Sequence, residues 1–288
     1  MEFPLGYDVD IVKLCEWGSF FWVRATSFGY NMANSQLSWI ESLAESGYAI
    51  MPQIVSGTGV DSILRQLDEI FLREATGSVL RTDAGQVYGA RNLLNHEPAF
   101  ITEVLENTSI WPIVEAILGP SCGLVRVLFF DKPPEQSWAL PWHKDRTIAV
   151  RDNRLPSVEF TKPTTKAGVQ HVEAPAWLLE KMLTLRLHLD DVTDANGPLK
   201  LIPGSHRGIE DRLAVTILGE RGDVLAMRPL VSHCSNRSMD GTTQRRRILH
   251  FEFAGIEKLP DGYAWHDYLR NERTEPEQAQ ESPRACLS

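Results

Sequence analysis

The 288-residue sequence lacks the long hydrophobic run of a membrane span; no stretch of about 18 consecutive apolar residues occurs. It also lacks a basic flank followed by a compact apolar segment near its start, so no secretory signal is expected. Cysteine is scarce. Cys15, Cys122, Cys234 and Cys286 are scattered without CxxC spacing, which gives no zinc ribbon and suits a reducing, cytoplasmic setting. Positive charge is short as well: 29 Lys and Arg against 38 Asp and Glu leave a net charge of −9, which argues against a nucleic-acid partner. No repeat or low-complexity block divides the chain. What is present is globular, with 43% hydrophobic and 9% aromatic residues, enough for a sizeable core.

Residues 1–35 show no clear periodicity and read as an N-terminal extension of uncertain role. Beyond them Leu37, Ile40 and Leu43 share a helical face, with Gly47 as a stop. In "DSILRQLDEIFLREATG", Ile63, Leu64, Leu67, Ile70 and Phe71 form an apolar stripe closed by Gly77. Pro98 opens a third helix running to about Glu106, and "WPIVEAILG" predicts a fourth ending at Gly119. The first 120 residues are thus expected to be mainly helical. The period then changes to two. Strands are predicted at 124–130, 183–191, after "DANGPL", at 223–233 and through "RRRILHFEFAG", with a short helix at 175–182. The Asn196-Gly197 pair predicts a tight hairpin. From Asn271 the chain is polar and reads as a disordered tail, 271–288. Evenly spaced short strands point to one domain over 36–270, a sandwich or jelly-roll barrel with helices outside one sheet.

"LPWHKDRTIAV" carries the chemical signal. In a strand, residues two apart project to one face, so His143 and Asp145 converge while Lys144 points away. They supply two ligands of the two-His-one-carboxylate triad that holds Fe(II) and leaves positions open. A lone HxD is common as edge-strand polarity, so a distant third ligand is required. His233, ending "GDVLAMRPLVSH", is the candidate. The next strand opens with Arg245, Arg246 and Arg247, and alternation sends at least one guanidinium inward, where it would meet a carboxylate. Arg186 and His188 alternate with leucines; they face the barrel interior if those leucines face the helices. Arg91, Asn92 and His171 lie in segments leading toward the site and are candidate substrate contacts. Ser205 and His206 in "IPGSHRG" do not fit a nucleophile elbow, and the segment reads as a turn.

"WALPWHKDRTIAV", "LRLHLDDVTDANGPLKLIPGSHRG", "GDVLAMRPLVSHCSNRS" and "RRRILHFEFA" occur in the order found in the phytanoyl-CoA dioxygenase-like family of Fe(II)/2-oxoglutarate oxygenases, which the chain resembles over about 36–256. The resemblance implies a mainly β fold, a double-stranded β-helix (a cupin-like jelly roll) buttressed by N-terminal helices. It implies iron on His143, Asp145 and His233. It implies 2-oxoglutarate held by Arg246, or by Arg245 with a one-residue shift, and by Ser235; Arg186, if alternation turns it inward, would also face the co-substrate. It implies dioxygen and a small-molecule substrate as reactants. Asp145 stands where halogenating relatives carry a small residue, so hydroxylation is the expected outcome. Two other readings stay open at this point: a jelly roll using another metal without 2-oxoglutarate, and a catalytically silent binding protein.

Overall fold

The structure, a computed structural model, describes residues 14–16, 19–21, 37–73, 78–134 and 137–271. Most of the N-terminal extension and the tail beyond 271 lie outside these residues. Among the described residues no helix is long and apolar enough to cross a membrane.

In chain order the elements begin with a hairpin, β1 (Leu14–Glu16) and β2 (Ser19–Phe21), and a helix α1 over 37–45. There follow β3 (Tyr48–Met51), α2 (Gly57–Arg73), β4 (Val79–Arg81), β5 (Val87–Ala90), α3 (Leu93–His96), α4 (Pro98–Glu106) and α5 (Ile110–Leu118). The β-rich part holds β6 (Gly123–Lys132), β7 (Leu140–His143), β8 (Thr147–Val150), β9 (Thr161–Lys166), β10 (Val169–Glu173), α6 (Ala176–Leu179) and β11 (Met182–His188). It ends with β12 (Leu199–Leu201), β13 (Val215–Thr216), β14 (Val224–Met227), β15 (His233–Ser235), β16 (Arg246–Ala254) and β17 (Leu269–Arg270).

A large antiparallel sheet runs β3-β14-β11-β16-β6-β5-β4, with β17 also on β6, and a smaller sheet runs β13-β12-β15-β7. A third, β8-β10-β9, extends beside them. This is the double-stranded β-helix. One face of the large sheet is apolar: Leu183, Leu185 and Leu187 of β11, Leu249, Phe251 and Phe253 of β16, and Val127 and Phe129 of β6 are buried against α2, α4 and α5. A helix stripe and a sheet face each need an apolar partner, and here they supply one another. The alternation sends the other set, Arg186 and His188 among them, into the space between the sheets. Unbroken register from Arg246–Lys132 to Glu252–Arg126 sets Arg126 opposite Glu252 on that inner face, and a bulge follows between Glu252 and Phe253. Leu225 and Met227 of β14 pack on Leu199 and Leu201 of β12, closing one end.

Several expectations shift. Among the described residues the first 120 are mainly helical, as read, but β3, β4 and β5 also join the large sheet; their runs of three or four residues are too short to show a period of two. Helix α2 begins at Gly57, ahead of the apolar stripe, and residues 74–77 with the expected Gly77 stop lie outside the described residues. Pro98 and Gly119 bound α4 and α5 as read. Asn196-Gly197 forms no hairpin. Thr193 caps a 3-10 turn at Asp194–Asn196, and Gly197 in the left-handed region (φ 68°) carries the chain from β11 in the large sheet to β12 in the small one. The segment 223–233 is not one strand: it breaks after Met227, so β14 and β15 sit in opposite sheets and His233 opens a strand. Pro229, which cannot donate to a ladder, lies in that break.

Phe251 is fully buried and stacks near Phe253, ring centroids 6.4 Å apart. Phe251→Ala is therefore expected to cost about 3–5 kcal/mol in urea unfolding, with the opposite face intact. A loss under about 1 kcal/mol would contradict a close-packed core behind the sheet.

Candidate metal centre and its lining

β7 and β15 pair so that His143 and His233 are direct antiparallel partners. Their rings lie 4.2 Å apart, centroid to centroid. Asp145 does not sit in a strand: it follows β7 in the turn to β8, and its N–H donates to Pro229 O at 2.9 Å. The expected continuous strand is thus two strands with the carboxylate between them. Convergence survives, with Asp145 carboxylate oxygens 3.6 Å from His143 Nε2 and 3.7 Å from His233 Nε2. Potential ligand atoms of all three lie within 4.8 Å of one another. Each imidazole is also oriented from behind. His143 Nδ1 donates to Pro141 O at 2.8 Å and His233 Nδ1 to Val231 O at 2.9 Å; a carbonyl only accepts, so both Nε2 atoms present lone pairs to the centre. Burial pushes the pKa of His233 down, favouring the neutral, ligating form. Lys144 points away, donating to Ser205 O at 2.8 Å and pairing with Glu210.

The arginine triplet is sorted by its partners. Arg245 grips Asp131 with Nε and Nη2, and Arg247 grips Asp190, Nε to Oδ2 at 2.9 Å. Arg246 alone turns inward. It is 3% exposed, and its Nε has no hydrogen-bond partner. Directly opposite on β6 is Lys132, fully buried and absent from the sequence reading. Its Nζ donates to Ser235 Oγ at 3.0 Å and to Asn236 O at 2.5 Å. Gly197 makes that approach possible, since a Cβ there would come within 2.5 Å of Asn236 O. Lys132 also lies over the Trp138 ring, 4.7 Å from its centroid, so Trp138 packs on the site. Burial first, then Arg246 and Arg186, press the Lys132 pKa down to about 6. Burial and Arg186 press that of Arg246 down to about 9. A buried guanidinium with an orphaned N–H, facing a buried amine whose protonation an incoming anion would favour, defines a cradle for an anion.

Arg186, over Phe130 at 5.8 Å, is held from β16. Its Nη1 donates to His250 Nδ1 at 3.2 Å, so His250 carries its proton on Nε2, which faces Glu252 Oε1 at 3.2 Å. Glu252 in turn takes a two-pronged ion pair from Arg126, Nε to Oε2 at 2.9 Å. Burial works against the Glu252 carboxylate, but Arg126 and His250 outweigh it and hold its pKa at about 2. Arg186, His250, Glu252 and Arg126 thus form a continuous polar chain along the inner face of the large sheet.

The remaining candidates divide. Asn92 and His171 are buried near the Arg126 end; Asn92 Nδ2 donates to Ala167 O at 3.1 Å and His171 Nδ1 to Val169 O at 2.9 Å. Arg91 is half-buried, close enough to feel Arg126. His188 belongs elsewhere: it feels Arg186 and Arg246, and its Nδ1, beside Gly219, has no partner. Ser205 is structural, accepting from Ser232 N–H at 2.8 Å and donating to Ile202 O. The sequence reading missed Arg126, Lys132, Lys166, His250 and Glu252. Parity along β6 was the available signal for Lys132, since it repeats the alternation of Arg126, Leu128 and Phe130.

Comparison with known proteins agrees with this fold. The fold is that of non-heme 2-oxoglutarate-type oxygenase structures. The family model described as phytanoyl-CoA dioxygenase (PhyH) matches residues 43–248, and the chain belongs to that family. Similar solved structures include the "non-heme alpha ketoglutarate dependent epimerase SnoN from nogalamycin biosynthesis" (TM-score 0.58, 15% identity, 80% of this chain and 87% of that one). Another is AviO1 from Streptomyces viridochromogenes Tue57 (0.56, 18%, 78% and 97%). A third is EctD from S. alaskensis with bound Fe (0.57, 16%, 75% and 75%). No curated protein matches the chain.

Arg245→Ala strips the two-pronged partner from fully buried Asp131 and is expected to cost about 3 kcal/mol. Arg246→Ala removes an unpaired buried cation and should leave stability unchanged or raised. Urea midpoints of the two variants check this, and equal losses would contradict the sorting. Acid should also destabilise. Burial holds His171 and His188 at about 4, against 6.5 for a free imidazole, so below 6.5 the unfolded chain binds protons that the native state excludes. Stability is expected to fall as pH drops from 6.5 to 4, and further toward 2 as Glu252 protonates. An unfolding midpoint unchanged between about pH 7 and 5 would contradict this.

Proposed function

We propose that the chain is an Fe(II)- and 2-oxoglutarate-dependent dioxygenase that hydroxylates an unactivated C–H bond of a small-molecule substrate. The observation that carries it is one lumen holding both a His-Asp-His set and a buried, unpaired cation cradle. His143, Asp145 and His233 would hold the iron. Three ligands leave positions open, as a facial triad does. Arg246, Lys132 and Ser235 would hold the far carboxylate of 2-oxoglutarate, and Arg186 would face the co-substrate from β11. Bound there, iron with 2-oxoglutarate and dioxygen supplies a strong oxidant for C–H bonds and releases succinate and carbon dioxide.

The rest is the work of this chain's own residues. The Nδ1 bonds of His143 and His233 to carbonyls behind them fix both rings before anything binds. Arg246 needs no reorganisation to meet a carboxylate, because nothing else in the barrel engages its Nε. Retention of Asp145, a ligand that halogenating relatives replace, supports hydroxylation. The cradle speaks against a metal centre working without 2-oxoglutarate, since it would leave buried cations uncompensated. Complete metal ligation speaks against a silent member.

Asp145→Ala is expected to lose nearly all bound iron while its circular dichroism and unfolding midpoint stay close to wild type. Arg246→Ala should keep iron yet raise the KM for 2-oxoglutarate by at least about tenfold, the scale of one charge-assisted pair. Succinate formation and iron content together test the reading. Normal iron in the Asp145 variant, or an unchanged KM in the Arg246 variant, would overturn it.

A further inference from the structure

Two cations near the metal site have no assigned partner. Arg126 is matched by Glu252, Asp145 belongs to the metal set, and Arg246 with Lys132 faces the co-substrate position. Arg91 and Lys166 are left over. Neither forms an ion pair among the described residues; Lys166 Nζ has only Thr147 Oγ1, at 3.3 Å. The Asn92 Nδ2 bond to Ala167 O holds the residues next to Arg91 and Lys166 together, and Lys166 lies within electrostatic reach of Arg91, Arg126, Glu252 and Asp145. Glu252 and Asp145 already have other partners, so the half-buried pair Arg91 and Lys166 favours a further anion beside it.

The backbone makes this convergence rigid. Arg91 immediately precedes Asn92 (φ 59°), and Lys166 immediately precedes Ala167 (φ 46°), both non-glycine residues in the left-handed region. Ala167 and Gly168 (φ 79°) form the two-residue turn joining β9 to β10, where Asn or Gly is favoured and alanine is strained. The Asn92 Nδ2 bond to Ala167 O at 3.1 Å ties the two turns together. Strain of this kind persists where the surrounding structure fixes it, and it concentrates at ligand clamps. Beside it, His171 bonds Val169 O through Nδ1, which leaves Nε2 as a lone-pair acceptor.

We propose that Arg91 and Lys166, clamped by the Asn92–Ala167 bond, form a subsite for an anionic group of the primary substrate, a carboxylate or a phosphate ester. This rests on the oxygenase reading for the word substrate, but the anion site itself stands on the geometry. Neutral and cationic molecules of equal size are disfavoured.

The test uses full-length protein loaded with Mn(II), with and without saturating 2-oxoglutarate. Hexanoate, hexyl phosphate, hexanamide and hexylamine are titrated by calorimetry, and Mn(II)-induced relaxation of their protons reports proximity to the metal. At least one anion should bind near the metal with 2-oxoglutarate present, about tenfold or more tighter than the amide, with no binding of the amine. Which anion binds separates carboxylate from phosphate. Arg91→Gln and Lys166→Gln should each weaken that anion about tenfold while 2-oxoglutarate affinity and the unfolding midpoint hold. Amide binding equal to the anions, no anion binding, or unchanged affinity in both variants overturns the subsite. Failure of 2-oxoglutarate itself to bind overturns the oxygenase reading instead, while the metal-only titration still decides the anion site.

Discussion

The pairing of β7 with β15 is the contact on which the site depends. His143 and His233 are ninety residues apart, and only their register across this ladder sets two imidazoles 4.2 Å from each other. A slip of one residue would turn both side chains to the other face. Register is held from outside the ladder as well. Pro229 O takes the Asp145 N–H, and Ser205 Oγ takes the Ser232 N–H just before β15. The turn after β12, the break after β14 and the His-Asp-His set therefore form one mechanical unit.

Charge is the second constraint. The inner face of the large sheet carries Arg126, Lys132, Arg186 and Arg246, whereas Glu252 and Asp145 are the carboxylates set against them. Burying cations costs free energy that the apolar outer face of the same sheet must offset. Leucines and phenylalanines on one side of β11 and β16 thus support arginines on the other. A barrel selected for stability alone would place apolar residues on both faces, so the inward arginines point to anions as cargo.

Much of this was legible in the sequence. Alternation along "LTLRLHLDD" put Arg186 and His188 on one face, inward if the leucines faced the helices, and the HxD pair with His233 as its distant candidate picked out three side chains that the fold brings together. Pro98 and Gly119 marked helix boundaries because proline and left-handed glycine act locally. What failed was anything decided by tertiary partners. The choice among Arg245, Arg246 and Arg247 rests on Asp131 and Asp190, more than fifty residues away in sequence. Lys132 fell beyond the strand read at 124–130, and its oxygen partners, Asn236 and Gly197, come from distant loops. Asn196-Gly197 has the local chemistry of a hairpin, yet its flanking strands belong to different sheets.

The central claim is that one lumen binds iron and 2-oxoglutarate together. Anaerobic titration of metal-free protein with Fe(II) and then 2-oxoglutarate tests it most directly, through the weak visible charge-transfer band of a keto acid chelated to iron. The account predicts a band that requires both additions and disappears in Arg246→Ala at the same co-substrate concentration. Tight Fe(II) binding with no band at any 2-oxoglutarate concentration would contradict it.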